Sequence, residues 1–89
     1  TPLHRAAATG NLAVLMALLR YPSIDVNDVD RFGRSILWHA ACGGNEEVIQ
    51  ILVSHGARID LADDYGRTPL HAACREGRVS SVEALLNAG

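Results

Sequence analysis

The chain has 89 residues, which suits one domain and leaves little room for a large enclosed core. Eight basic and ten acidic residues give a net charge of −2, which argues against a nucleic-acid binder because such proteins usually carry a strongly basic face. The longest apolar run, residues 12–19, is too short to span a bilayer, and no cationic leader precedes it, so we expect neither membrane insertion nor a signal peptide.

The first predicted element is a pair of short helices that opens the chain. Residues 1–7 read Thr-Pro-Leu-His-Arg-Ala-Ala, a run of small and apolar residues that favours a closely packed helix. Gly10 predicts a left-handed turn after it. A second helix should follow, because four apolar residues recur at helical spacing: Val14, Leu15, Leu18 and Leu19.

A polar connector comes next, and it has a counterpart further along the chain. Residues 30–33 (Asp-Arg-Phe-Gly) and residues 63–66 (Asp-Asp-Tyr-Gly) each fit a reverse turn with Asp first and Gly fourth. Val26 and Ile59 precede these turns and are predicted to be short extended segments. Each connector is therefore expected to end in the tip of a small hairpin.

The opening pattern returns at residues 35–41 (Ser-Ile-Leu-Trp-His-Ala-Ala) and 68–74 (Thr-Pro-Leu-His-Ala-Ala-Cys). In the third copy, Thr68 can cap a helix whose first position is Pro69, where the missing N–H costs nothing. Each copy is followed by a glycine and by a second helical stripe of apolar residues, and in the third copy this second helix is predicted to begin at Val79.

The three copies start at residues 1, 35 and 68, so they are 34 and 33 residues apart. A period of this length predicts supersecondary units that bury their apolar faces only by stacking on their neighbours. The resulting array presents surfaces to partners and rarely encloses a catalytic pocket. The period therefore favours a binding function.

These residues resemble the ankyrin repeat family, whose period and Thr-Pro-Leu-His-x-Ala signature they share. The resemblance covers essentially the whole chain and implies an all-α repeat solenoid, in which ankyrin helix-turn-helix units stack and short β-hairpins connect them. It implies one ankyrin repeat domain over residues 1–89, with repeat 1 at 1–29, repeat 2 at 30–62 and repeat 3 at 63–89.

The second copy departs from the family pattern in the first turn of its helix. Ile36 and Trp38 stand where the family prefers Pro and His, and His39 occupies a position that is usually Leu. We expect Trp38 to fill the space of the histidine by packing. In the other copies, His4 and His71 are expected to bridge backbone groups of neighbouring repeats and not to act as acid–base catalysts.

The resemblance places a partner-binding surface on one concave side, formed by the hairpin tips and the ends of the first helices. Aromatic residues and arginines at exposed tips match the composition of interface hot spots. The alternative is that Phe32 and Tyr65 only pack adjacent hairpins together. The expected partner-binding residues are Val29, Arg31, Phe32, Arg34, Cys42, Asp64, Tyr65, Arg67, Arg75 and Glu76, with Ala8, Thr9, Gly43 and Ala62 on the same side.

Two His-x-x-Cys pairs, His39 with Cys42 and His71 with Cys74, have a spacing that zinc sites use. Their positions differ by one residue within the repeat, so the two pairs point roughly 100° apart around their helices. The sequence therefore favours no metal ion, no cofactor and no catalytic residue.

Asn27 allows two interpretations. It lies where the resemblance implies that ankyrin proteins can be hydroxylated on asparagine, with Leu19 upstream. The favoured interpretation is that its amide caps a turn.

The sequence as a whole predicts a non-catalytic protein–protein interaction module that acts as a monomer on another protein or on another domain of its parent chain. The alternative is a regulatory or substrate-recruiting segment of a larger enzyme or channel, and a structural spacer is a third possibility. Two cysteines do not form a disulfide framework, so we expect an intracellular location, cytoplasmic or nuclear.

Overall fold

The structure is a computed structural model of the chain and describes residues 2–89, so that Thr1 of the first copy lies outside it. Six α-helices follow one another in three pairs across this range. They are α1 (Pro2–Thr9), α2 (Leu12–Leu19), α3 (Ile36–Gly43), α4 (Glu46–Ser54), α5 (Pro69–Arg75) and α6 (Val79–Ala88). The all-α repeat architecture predicted from the sequence is confirmed.

Short polar side chains begin four of these helices by accepting hydrogen bonds from backbone N–H groups that lack helical partners. Thr68 caps α5 in a reciprocal pair, because the His71 N–H donates to Thr68 and Nδ1 of His71 accepts from the Thr68 N–H at 3.0 Å. The predicted cap at Thr68 is thus confirmed, and α3 has its equivalent in Ser35. The remaining two caps, which the sequence analysis did not single out, are Asn11 for α2 and Asn45 for α4.

The first helices of the three pairs form one layer, because α1 packs against α3 and α3 packs against α5. Alanines make this contact close: Ala7, Ala40, Ala41 and Ala73 are completely buried. Ridges of such small side chains let helices approach near the short end of the usual interaxial distances. The adjacency of residues 36–43 and 69–76, on which the stacked-repeat prediction depended, is confirmed.

The second helices supply most of the large apolar side chains of the core. Leu15 of α2, Ile49 and Leu52 of α4 and Leu85 of α6 are all buried, and α4 packs against α6 in a second layer. Burying a leucine or isoleucine side chain contributes about 1.5–3 kcal/mol. The buried members of the predicted apolar stripes therefore hold the stack together, whereas Val14, which was predicted to belong to the stripe of α2, is 42% exposed.

The connectors differ from the predicted hairpins in one respect. Val26 and Ile59 lie within turns and not in extended segments, and the described part of the chain contains a single isolated β-bridge, between Val29 and Ser35. Each tip is instead closed by two backbone hydrogen bonds. In the first tip the Asp30 N–H donates to the Arg34 oxygen and the Gly33 N–H donates to the Asp30 oxygen, both at 3.0 Å. In the second tip the corresponding bonds, from residue 63 to residue 67 and from residue 66 to residue 63, measure 2.8 and 3.0 Å. The side chain of the turn aspartate accepts hydrogen bonds from further backbone N–H groups, so these groups need no strand partner.

Asn27 connects the first connector to the second. Its Nδ2 donates to the carbonyl oxygen of Gly56 at 3.3 Å, and its Oδ1 accepts from the Arg58 N–H at 2.8 Å. The side chain thus bonds backbone groups beyond the end of α4, in agreement with a capping role, but it does so across repeats.

Two side chains from the third pair satisfy carbonyl groups at the end of α3. Ser81, which is fully buried, donates to the Ala41 oxygen at 2.9 Å, and Nε of Arg78 donates to the Cys42 oxygen at 3.0 Å. These bonds tie α6 to α3 across the stack. Among residues 2–89, no helix is both long and apolar enough to cross a membrane.

Candidate functional site

The two connector tips, residues 30–33 and 63–66, are built in the same way. In each, Oδ1 of the first aspartate accepts from the backbone N–H groups two and four residues later, at 2.8–2.9 Å. The fourth residue is a glycine with φ of 75°, a conformation that favours glycine. The predicted Asp-x-x-Gly turns are confirmed, and they hold an aromatic residue at the same place in both tips.

The two tips are also joined to each other. The Asp64 N–H donates to the carbonyl oxygen of Phe32 at 3.0 Å. Because backbone bonds fix the tips internally and to one another, the side chains that they carry have a defined spacing.

Arg34 follows the first tip and is held on three sides. Its Nε donates to Oδ2 of Asp30 at 2.9 Å, and its guanidinium carbon lies 4.7 Å from the ring centroid of Phe32 and 5.3 Å from that of Trp38. Cations above aromatic faces at such distances are stabilised by the ring quadrupole. The guanidinium group is therefore pre-oriented.

Asp30 is the centre of this arrangement. Its Oδ2 also accepts from Nε2–H of His39 at 2.9 Å, since an ionised carboxylate can only accept. Burial would raise the pKa of Asp30, but the hydrogen bonds from His39, from the backbone of Arg34 and Phe32 and from the Arg34 side chain outweigh it and hold that pKa well below its usual range. Asp30 therefore stays ionised as a partner for Arg34.

The second tip lacks this additional support. Ala72 occupies the position in the third copy that His39 has in the second. Within residues 2–89, no salt bridge involves Asp63, Arg67 or Arg75, and Arg67 stacks on Tyr65 with its guanidinium carbon 5.4 Å from the ring centroid. Two arginines beside the second tip thus carry charges that no carboxylate in the described chain neutralises directly.

Between the tips lies a recess of about 200 Å³, which we call the tip recess. Three aromatic rings, three arginines and one carboxylate surround it. Its lining residues are Phe32, Arg34, Trp38, Asp63, Tyr65, Arg67 and Arg75.

Five of the ten predicted partner-binding residues line the tip recess, and the other five lie outside it. Of the latter, Arg31 stacks on Phe32 at 5.4 Å without lining the recess, and Val29 is part of the β-bridge. Burial raises the pKa of the Cys42 thiol, Glu76 adds to that effect, and nearby arginines oppose it. The five residues outside the recess are Val29, Arg31, Cys42, Asp64 and Glu76.

Trp38 and Asp63 line the recess but were not predicted to belong to the site. Trp38 was expected to pack, and it does lie half-buried beside the His39 ring, yet it also forms a wall of the recess. An aromatic residue in a position where the family has histidine, next to a turn that carries Arg34, was the available signal. Asp63 was recognised only as the first residue of a turn.

Phe32 and Tyr65 both keep a large part of their surface exposed. Tyr65 is 73% exposed and Phe32 is 43% exposed, and a backbone hydrogen bond joins the two tips. Both rings are therefore available at the surface.

The histidines have structural surroundings. Nδ1 of His71 bonds Thr68 of its own repeat and satisfies the N–H of the helix cap, and residues 2–89 show no bond from His71 to another repeat. His4, in contrast, hydrogen-bonds the backbone of Arg34 in the next repeat, as predicted. His4 is buried with its ring edge-on to His39 at 5.3 Å, and burial followed by the charge of His39 lowers the pKa of His4.

A larger and more open cavity, of about 610 Å³, lies beside these two rings. Its described lining offers two imidazoles and one carboxylate but no hydroxyl or thiol that could act as a nucleophile. The lining residues are Pro2, His4, Arg5, Ala8, Asp30 and His39. No group of three or more His, Cys, Asp or Glu side chains suited to a metal ion is found in the portion from residue 2 to residue 89.

Comparison with known proteins assigns nearly the whole chain to one family. Residues 3–89 match the family described as ankyrin repeats, in three copies. The chain is 40% identical over 87 residues to the probable E3 ubiquitin-protein ligase XBOS33 of Oryza sativa subsp. japonica, and the match covers 97% of this chain and 16% of that protein.

Two solved structures are similar over the full chain. A chain in the complex of the predatory endopeptidase Bd0816 from Bdellovibrio bacteriovorus with the immunity protein Bd3460 superposes with a TM-score of 0.95 at 32% identity, and 46% of that chain is covered. The human ASB11 ankyrin repeat domain superposes with a TM-score of 0.92 at 36% identity, with 40% covered. The chain thus spans less than half the length of each of these three proteins.

Proposed function

The chain belongs to the ankyrin repeat family, whose repeats are protein–protein interaction modules, and we propose that it binds a partner protein at the tip recess and the adjoining tips. The partner is a separate protein or another domain of the parent chain. The contact surface extends beyond the recess to the neighbouring Val29, Arg31, Cys42, Asp64 and Glu76.

The single observation that carries this proposal is the fixed spacing of exposed aromatic and arginine side chains on two connected tips. Turn hydrogen bonds and the bond from Asp64 to Phe32 hold the tips before any partner arrives. A surface that is already ordered loses little conformational entropy on binding, so more of the contact energy appears as affinity. Aromatic residues and arginines are also the side chains enriched at binding hot spots.

Charge reversal in the recess tests the proposal. We expect a protein that binds the wild-type chain to lose its affinity for the double variant Arg67→Glu with Arg75→Glu, because both guanidinium groups would meet the partner as carboxylates. The measurement is affinity purification under native conditions, followed by titration calorimetry with the purified partner.

A matched double variant separates this effect from a general change of charge. Arg20 and Arg58 follow α2 and α4 and do not line the recess, so Arg20→Glu with Arg58→Glu changes the net charge equally. The partner should bind this control like the wild type. The proposed site would be contradicted if both double variants lost binding equally, or if neither of them lost it.

A second function is favoured by the name of one relative. The match to a probable E3 ubiquitin-protein ligase covers only 16% of that protein, so the similar segment there is one part of a larger protein. On that basis the chain would recruit a substrate or regulate an enzyme whose chemistry lies in other residues. Reading the parent sequence for a catalytic segment would distinguish this role from that of an independent binding module.

We further propose an intracellular location, in the cytoplasm or the nucleus. The observation behind it is that both cysteines, Cys42 and Cys74, are free thiols, which is typical of reducing compartments. Fractionation of cells that express the parent protein tests this location.

A further inference from the structure

We propose that the tip recess binds a glutamate-containing acidic segment of the partner protein, with Arg34 as a fixed carboxylate anchor and with Arg67 and Arg75 as further cationic contacts. The inference rests on the proposed binding function and names the chemistry of the partner. It follows from the charges, the size and the aromatic walls of the recess.

The charge of the recess is opposite to that of the chain. The whole chain has a net charge of −2, yet three of its eight basic residues line this recess against one acidic residue. That acidic residue, Asp63, already accepts two backbone hydrogen bonds through Oδ1. An anionic side chain is therefore the complementary occupant.

Arg34 has the geometry of an anchor. Its Nε donates to Asp30, and its guanidinium carbon lies over the rings of Phe32 and Trp38. In residues 2–89 no hydrogen bond involves its two terminal nitrogens, which form the edge that can bind both oxygens of a carboxylate. Its side chain keeps about one third of its surface exposed, at 32%, so that this edge is accessible.

The size and the walls favour an amino-acid side chain over a free anion or a small molecule. The recess of about 200 Å³ is smaller than the roughly 300 Å³ at which small-molecule sites begin. Its aromatic walls can pack against the methylene groups of a glutamate side chain. Inorganic phosphate has no such groups. Because the two tips beside the recess carry exposed rings, a side chain can enter it from a segment that lies across the tips.

The experiment uses the only tryptophan, Trp38, as a reporter, because it lies in the wall of the recess. Its fluorescence is followed while a capped peptide of alternating Glu and Ala is added at low salt. The reference probes are the same peptide with Gln in place of Glu, and inorganic phosphate. We expect saturable binding of the Glu peptide, weakened by added salt, with no response to the Gln peptide.

Variants then assign the binding to the recess. Arg67→Gln with Arg75→Gln should weaken binding of the Glu peptide about tenfold or more, because two charge-assisted contacts are removed. Arg34→Lys keeps the charge but loses the planar fork, and we expect a similar loss. The matched control, Arg20→Gln with Arg58→Gln, removes the same net charge outside the recess and should change affinity less than about threefold.

Circular dichroism spectra and melting temperatures of all variants are compared with the wild type, so that loss of binding is not loss of fold. Binding of the Gln peptide as tight as that of the Glu peptide, or equal weakening by the control variant, would overturn the inference. So would inorganic phosphate that displaces the peptide at equal concentration, because the recess would then be a small-anion site.

The inference can fail while the proposed function stands. If the Glu peptide does not bind, but a natural partner is lost on Arg67→Glu with Arg75→Glu and kept by Arg20→Glu with Arg58→Glu, the recess binds protein by other chemistry. If neither the peptide nor a partner depends on the recess, both proposals are wrong.

Discussion

Asp30 and Asp63 begin equivalent turns, yet their side chains are bonded to different extents. Both use Oδ1 for backbone N–H groups of the turn, whereas Oδ2 of Asp30 also bonds Arg34 and His39. Asparagine at either position keeps an oxygen for the turn and removes the charge. The pair of substitutions therefore isolates the contribution of the side-chain bonds.

We expect Asp30→Asn to lower the free energy of unfolding by about 1–3 kcal/mol, because hydrogen bonds to a charged group are lost. Asp63→Asn, the matched control, should cost clearly less. Urea unfolding followed by circular dichroism measures both. Equal losses would mean that the bonds to Arg34 and His39 add no stability.

The contribution of Asp30 should also depend on pH in one direction. The pKa of Asp30 in the folded protein is held below the ordinary value of 3.8, so its ionised form stabilises the fold at pH values above 3.8, and this stabilisation is lost as the pH falls further. We expect the stability difference between wild type and Asp30→Asn to be wide at about pH 5 and to narrow at about pH 3. Urea titrations at the two pH values measure it, and a constant difference would contradict the assignment.

Individual residues of the site could be predicted only where the local sequence determines them. The Asp-x-x-Gly spacing is sufficient to predict both tips, since the turn bonds join residues no more than four apart. The stack of Arg34 on Trp38 depends on how the tip meets the next helix. Pattern reasoning therefore found Arg34 but missed Trp38.

At the scale of helices, the C-terminal end of α3 lies in close contact with α1, and this contact was not predicted from the sequence. A Cβ atom on Gly43 would lie 2.5 Å from the carbonyl oxygen of Ala8, which is a backbone atom that cannot turn aside. Gly43 was predicted to lie on the binding side, without a packing role. Its contact with α1 was not predictable, because it depends on the distance between two repeats.

Replacing Gly43 with Ala tests this close approach. Inside a helix, Gly to Ala usually stabilises by about 0.5–1 kcal/mol. Here we expect Gly43→Ala to destabilise by about 1–3 kcal/mol, because α1 and α3 must move apart. Thermal unfolding measures the sign, and a raised melting temperature would contradict the close contact.

Helix starts were predictable from neighbouring residues in the sequence, whereas the backbone of the connectors depends on residues that are distant in the sequence. The cap at Thr68 followed from its own sequence neighbours, and so did the position of Val79 at the start of α6. The extended segments predicted at Val26 and Ile59 did not form. The connector backbone is bonded instead by distant groups such as Asn27, whose partners are 29 and 31 residues away.

At the scale of the whole molecule, the repeat period was enough to predict the stacked arrangement, because similar small units can bury their apolar faces only on one another. The period does not show how the interface between one pair of repeats differs from the interface between the next. Between the second and third helix pairs, Ser81 supplies a fully buried hydrogen bond to Ala41, and Arg78 adds one to Cys42. Stability at this junction therefore rests on particular polar side chains as well as on the shared stripe.

In a stack of repeats, weakening the interface between the second and third helix pairs should destabilise the third pair more than the first. We expect Ser81→Ala to cost about 0.5–1.5 kcal/mol, because one buried hydrogen bond is lost. Amide hydrogen exchange should accelerate in α5 and α6 while α1 changes less. The neighbouring exposed Ser80→Ala is the matched control and should leave exchange unchanged. If Ser81→Ala accelerates exchange equally in all six helices, the three pairs unfold as one unit and the junction has no separate stability.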